Sequence, residues 1–190
     1  MNLPNKISIA RIALIPVFIA FYYLEVIPHN FLYATIVFAV AAFTDFLDGY
    51  IARKYHLVTD LGKFLDPIAD KVLVLTAMIL MLTNVAGGIL PALSGGIGIS
   101  IILARELIVS SFRMVAASKS VVIAADKLGK IKTISQDIAL VLLLFSKAFT
   151  GKAFEIIWIV GYFIFVFSVI MTLISGINYI LKNRVVFKED

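Results

Sequence analysis

Apolar residues run along this chain in long blocks separated by short polar stretches. A helix needs about 20 mostly apolar residues to cross a hydrocarbon layer roughly 30 Å thick. Six blocks have the character of spans: Ile7–Tyr23; Phe31–Phe43, continuing into a polar end near Arg53; Pro67–Leu82; Ile97–Val115; Thr133–Phe149; and Phe154–Leu181. The pattern predicts an all-α integral membrane protein, a bundle of six transmembrane helices. Pro16 is expected to kink the first span, which neighbouring helices tolerate. The N-terminal stretch lacks a small-residue cleavage site after a short apolar core, so it reads as a first span or surface helix rather than a removed signal. No repeat or long linker divides the chain, and residues 1–190 are expected to form one domain.

Composition agrees with this solvent. Of the 190 residues, 62% are hydrophobic and only 15% charged, with a mean hydropathy of +1.04. Soluble domains carry about 25% charged residues. There is no cysteine, which removes disulfides, thiolate metal sites and cysteine nucleophiles from consideration. The net charge of +5 asks which side of a bilayer the charges occupy rather than whether nucleic acid binds.

The loops answer that question. Leu24–Asn30 and the Gly-rich stretch Thr83–Ser100 hold no Lys or Arg, whereas Arg53, Lys54, Lys63, Arg113, Lys119, Lys127, Lys130 and Lys132 fall in the alternate connections. Lys6 and Arg11 stand at the start, and Lys182, Arg184 and Lys188 at the end. By the positive-inside rule both termini and the basic loops are cytoplasmic. The residues Gly87, Gly88, Gly95, Gly96 and Gly98 are expected to form a flexible outer loop, because no Lys-Ser/Thr follows them to make a phosphate cradle. His29 and His56 stand apart and offer no histidine metal site.

Five of the 12 acids crowd into the stretch from Thr44 to Asp70. Asp45 and Asp48 are three residues apart, hence on one helix face, and Gly49 and Ala52 continue that face with little bulk. Gly62, Asp66 and Asp70 recur at steps of four. Pro67 fits a first helical position with Asp66 as N-cap. Taken singly, each Asp is best explained as a cap or as a partner for Arg53, Lys54, Lys63 or Lys71. Taken together, four carboxylates on two adjacent antiparallel helices repel one another unless a cation intervenes. An all-oxygen set selects a hard divalent ion, Mg²⁺ or Mn²⁺, and four carboxylates suffice for two ions of the kind that clamp a phosphoryl transfer.

The order Asp45-x-x-Asp48-Gly49-x-x-Ala52-Arg53, then Gly62-x-x-x-Asp66-x-x-x-Asp70, resembles the signature of the CDP-alcohol phosphotransferases. The resemblance implies a six-helix membrane enzyme that displaces CMP from a CDP-linked substrate with an alcohol. It further implies two metal ions on Asp45, Asp48, Asp66 and Asp70, with Asp70 as general base, and a homodimer in a bacterial plasma membrane. Leu3-Pro4-Asn5-Lys6, the run from Leu61 to Lys71, Ala104-Arg105-Glu106 and Gly129-Lys130-Ile131-Lys132-Thr133 resemble the branch that joins CDP-diacylglycerol to sn-glycerol 3-phosphate. On that reading Asn5, Arg11, Gly49, Ala52, Arg53 and Gly62 surround CDP-diacylglycerol at the cytoplasmic face. Lys63, Arg105, Arg113, Lys130 and Lys132 attract the acceptor phosphate. Arg105 either reaches that phosphate or pairs with an acid such as Glu106, and Asp137 is expected to be a structural partner. The same chemistry with inositol, inositol phosphate, serine or phosphatidylglycerol is the alternative, and a free-alcohol acceptor would have little use for Lys63, Arg113, Lys130 and Lys132. A cation transporter would spread its acids through the membrane, and a purely structural membrane protein leaves the aspartate spacing without a role.

Overall fold

The structure, a computed structural model, describes the backbone of residues 3–54, 59–83, 88–119 and 127–184, and their side chains except at 3–4, 45–54, 60, 61, 63, 64, 66 and 67. Among the described residues six helices follow in order: α1 (Leu3–Tyr23), α2 (Asn30–Lys54), α3 (Asp60–Leu82), α4 (Ala92–Ser118), α5 (Lys127–Ser146) and α6 (Gly151–Lys182). α1 packs on α2 and α3, α5 pairs along α6, and α4 bridges α6 and α3. α1 continues through Pro16 without a break in its helical assignment.

The α1 stretch Asn5–Tyr23, α4 and α6 are each long and apolar enough to cross a membrane, and Asn30–Thr44 of α2 is a shorter apolar segment. Large apolar side chains point outwards: Phe163 is 74% exposed, and Ile36, Ile79, Ile108 and Ile177 are exposed too. Such a surface is stable in hydrocarbon and unusual in water. The core is equally apolar, built from Phe18, Tyr22, Phe38, Met78, Met81, Leu140, Leu143, Leu144 and Phe165. Buried hydroxyls on α6 satisfy themselves on their own helix. Ser168 donates to the Phe165 carbonyl and Thr172 to the Ser168 carbonyl, each at 2.7 Å, which avoids an unpaired polar group in a dry interior.

Two expectations are corrected. α3 starts at Asp60, before Pro67, because Thr59 is its N-cap: the Thr59 hydroxyl accepts the Gly62 N–H at 3.1 Å. Asp66 therefore lies inside the helix rather than capping it, and Lys63 belongs to its first turns. The glycines Gly95, Gly96 and Gly98 are helical in α4 rather than part of a loop. Gly95 and Gly98 are there for closeness. A Cβ on Gly95 would stand 2.8 Å from the Leu90 Cβ, and one on Gly98 would stand 2.9 Å from the Phe165 ring and 3.1 Å from Val169. α4 thus meets α6 through a residue without a side chain, a packing device common between membrane helices.

The helices sort their ends. Tyr22 donates to the Leu80 carbonyl, Trp158 to the Ile89 carbonyl and Tyr162 to Ser94, each at 2.7 Å, and these contacts share one end of the bundle. The starts of α1, α3 and α5 and the close of α4 and α6 lie at the other end, with most of the basic residues, while Lys147 and Lys152 stand at the first end.

Gly98→Ala is expected to destabilise the protein by about 1–3 kcal/mol through overpacking. Gly96→Ala meets no atom within 4 Å and is expected to hold or raise stability, since alanine favours a helix over glycine. Thermal unfolding of the two variants in detergent checks this, and equal midpoints would contradict the tight α4–α6 contact.

Candidate active site

The polar end of the bundle begins on α1. Asn5, Ser8 and Arg11 recur at steps of three and are all buried, Arg11 at 1% exposure. Asn5 Oδ1 accepts the Thr59 hydroxyl at 2.9 Å. A Cβ on Gly62 would lie 2.9 Å from that same oxygen, so glycine at this position admits α1 to the first turn of α3. The Gly of the aspartate motif thereby joins Asn5 to the helix that carries Asp66 and Asp70. α2 carries Asp45, Asp48, Gly49, Ala52 and Arg53 in its last turns. The side chains of these five residues, and those of Lys63 and Asp66, lie outside the described residues.

Asp70 is half-buried and lines a cleft of about 120 Å³ between α3, α4 and α5. Each helix contributes one stripe at helical spacing: Asp70, Lys71, Val74 and Met78 from α3; Ile102, Glu106 and Ser110 from α4; Lys132, Thr133, Gln136 and Asp137 from α5. The deeper wall is apolar and the mouth is ionic.

Glu106 organises that mouth. Its Oε1 accepts Arg105 Nη1 and Lys132 Nζ, both at 2.8 Å, with the Lys132 side chain only 5% exposed. Arg105 turns towards α6, donating to Ser175 at 3.1 Å. Gly176 leaves room for its stem, since a Cβ there would stand 3.0 Å from Arg105 Cγ. Lys71 donates to Ser110 at 2.6 Å and ties α3 to α4. Two cations on one carboxylate leave the group with a net positive charge beside the cleft.

Of the cations expected at an acceptor site, Lys132 lines the cleft. Arg105 adjoins it through Glu106 but faces α6. Arg113 is on an exposed turn of α4, donates to the Tyr179 hydroxyl at 3.0 Å and stacks over that ring at 5.3 Å, away from the cleft lining. Lys130 is exposed on the first turn of α5. Lys71, Ser110 and Gln136 were not among the sequence candidates. The signal for them was helical spacing: Gln136 is one turn beyond Lys132, Ser110 one turn beyond Glu106, and Lys71 adjoins Asp70.

Among the described residues no three His, Cys, Asp or Glu side chains converge to hold a metal, and Asp70 is the only motif aspartate with a described side chain. The donor chemistry nevertheless fits a hard divalent ion. The motif offers carboxylate oxygens alone, without sulfur or imidazole, and Asp70 lines the cleft.

An α-helical bundle with aspartates at the ends of two neighbouring helices and a cationic cleft beside them belongs with membrane enzymes that handle phosphate esters. The chain matches the CDP-alcohol phosphatidyltransferase family over residues 1–174. It is 41% identical to a CDP-diacylglycerol–glycerol-3-phosphate 3-phosphatidyltransferase of Bacillus subtilis, covering 96% of this chain and 95% of that protein. It is 42% identical to a Rickettsia prowazekii protein of the same name, over 98% and 97% of the two chains. A Shigella flexneri protein of that name is 36% identical, over 96% and 95%. The chain belongs to the CDP-alcohol phosphatidyltransferase family and is an enzyme.

Glu106→Ala strips the buried Lys132 ammonium of its partner, a change expected to cost about 3 kcal/mol. The thermal midpoint in detergent is expected to fall accordingly. An unchanged midpoint would show that the shared carboxylate does not hold α4 to α5.

Proposed function

We propose that this enzyme transfers the phosphatidyl group of CDP-diacylglycerol to sn-glycerol 3-phosphate, releasing CMP and forming phosphatidylglycerophosphate. The observation that carries the reading is the eight-position aspartate signature ending at Asp70, the residue that opens onto a cleft shared with Lys132. The names of the relatives supply the donor and acceptor.

The acyl chains of the donor stay in the bilayer while its pyrophosphate meets the aspartates. The primary hydroxyl of glycerol 3-phosphate attacks the phosphorus that bears the diacylglycerol. A new P–O bond forms, the bond to the bridging pyrophosphate oxygen breaks, and CMP leaves. Asp70 accepts the hydroxyl proton as the bond forms. Asp45, Asp48, Asp66 and Asp70 would hold two divalent ions, Mg²⁺ or Mn²⁺, which when bound neutralise the pyrophosphate and stabilise the charge leaving with CMP. Gly49 and Ala52 give the cytidine a flat wall, and Arg53 lies near its phosphate. Asn5, Arg11 and Gly62 close the donor side. Lys132 meets the acceptor phosphate, with Lys63, Arg105, Arg113 and Lys130 supplying positive charge to the approach. Lysine serves as a point charge here and arginine as a fork.

In this reading residues 1–190 are one domain, all six helices cross the plasma membrane of a bacterium, and both termini and the active site face the cytoplasm. The sorting of basic residues to one end supports that orientation. The chain works as a homodimer.

The test is CMP release by purified protein given CDP-diacylglycerol and Mg²⁺ or Mn²⁺, with glycerol 3-phosphate, inositol phosphate, serine and phosphatidylglycerol compared as acceptors. Glycerol 3-phosphate is expected to be preferred and chelation to abolish the reaction. Absence of metal-dependent CMP release with every acceptor would overturn the proposal. Asp70→Asn is expected to lower kcat by at least about 10²–10⁴-fold with an unchanged thermal midpoint, and near-normal turnover would remove Asp70 as the base.

A further inference from the structure

Gln136 is a buried polar side chain whose amide oxygen has no partner among the described residues. It is 3% exposed, it lines the cleft with Asp70 and Lys132, and its buried Oε1 accepts no hydrogen bond from the described residues. An amide has four hydrogen-bonding positions, and leaving them unmade inside a protein is costly. Three neighbouring polar side chains are handled differently. Ser135 donates to the Lys132 carbonyl at 2.9 Å, and Lys132 and Lys71 are both engaged. Rotation about the terminal torsion exchanges the amide oxygen and nitrogen, so either can meet a ligand in the cleft.

We infer that Gln136 recognises the secondary hydroxyl of the acceptor and so selects a glycerol phosphate over a phosphorylated alcohol without that group. The inference rests on the proposed function and assigns a specificity residue within its acceptor cleft. Position carries it. Lys132 and Gln136 are successive residues on one face of α5, about 6 Å apart along the axis at 1.5 Å per residue. Asp70 lines the same cleft from α3. In glycerol 3-phosphate the secondary hydroxyl lies between the phosphate and the attacking primary hydroxyl. A phosphate held near Lys132 and a primary hydroxyl near Asp70 leave the middle of the molecule beside Gln136. A hydroxyl is both donor and acceptor and pairs with an amide in either orientation. A site whose buried polar group is paired only by the correct substrate rejects the analogue that lacks it.

The experiment compares sn-glycerol 3-phosphate with 3-hydroxypropyl phosphate, which keeps the phosphate and the primary hydroxyl but lacks the secondary one. Wild-type kcat/KM is expected to be about 10–100-fold lower for the analogue. In Gln136→Met, of similar length without the amide, the two acceptors are expected to come within a few-fold of each other while KM for CDP-diacylglycerol stays unchanged. The thermal midpoint of Gln136→Met is expected to hold or rise, because the variant removes an unpaired buried amide. Equal wild-type rates on the two acceptors overturn the assignment without any variant. So does an undiminished preference in Gln136→Met, or a fall in its midpoint, which would make Gln136 part of the packing. A wild type inactive with glycerol 3-phosphate removes the proposed function and this inference together, whereas an active wild type without discrimination removes only the inference.

Discussion

The buried ionisable groups among the described residues answer to one constraint: a charge removed from water must find an opposite charge close by. Glu106 is the clearest case. Its carboxylate sits between Arg105 and Lys132 at 2.8 Å from each, so one acid draws α4 and α5 together while Arg105 reaches across to Ser175 on α6. The same constraint acts on the motif aspartates. Four carboxylates on neighbouring helices repel one another unless cations lie between them. In the proposed function divalent ions complete the balance, and the need for neutralisation becomes a device for gripping a pyrophosphate.

Apolar packing places these charges. Small residues set the distances between helices. Gly98 brings α4 against Phe165 of α6, Gly176 admits the stem of Arg105, and Gly62 admits Asn5 to the start of α3. With those approaches made, the stripes from α3, α4 and α5 converge on one cleft rather than on separate surfaces. The apolar depth of that cleft, at Val74, Met78 and Ile102, leaves its polar groups in a low-dielectric setting where each hydrogen bond to a ligand counts for more.

Much of this was legible in the chain. Apolar blocks located all six helices, because span length is a property of local composition. The four aspartates stood out through intervals of three and four, and their backbone is helical in α2 and α3. The start of α3 was misplaced because Pro67 is a strong local signal, whereas the Thr59 cap works through a single hydroxyl. Gly95 and Gly98 looked like a loop because glycine signals freedom in isolation and closeness only when a neighbour such as Phe165 is present. The pairing of Arg113 with Tyr179 and the convergence of Lys71, Ser110 and Gln136 depend on contacts between helices distant in sequence, which spacing within one helix does not encode. Arg105 stood between two readings for the same reason, and its contacts with Glu106 and Ser175 are the local facts that a sequence omits.

The central claim is that the aspartates of α2 and α3 act as one oxygen-only site for two divalent ions. Electron paramagnetic resonance of Mn²⁺ titrated into the purified protein with CDP-diacylglycerol tests it most directly, because it counts bound ions without requiring turnover. Two ions per chain in the wild type, and loss of that binding when Asp45 and Asp66 are both changed to Asn, is the result expected. Absence of bound Mn²⁺, or binding undiminished in the double variant, would contradict it.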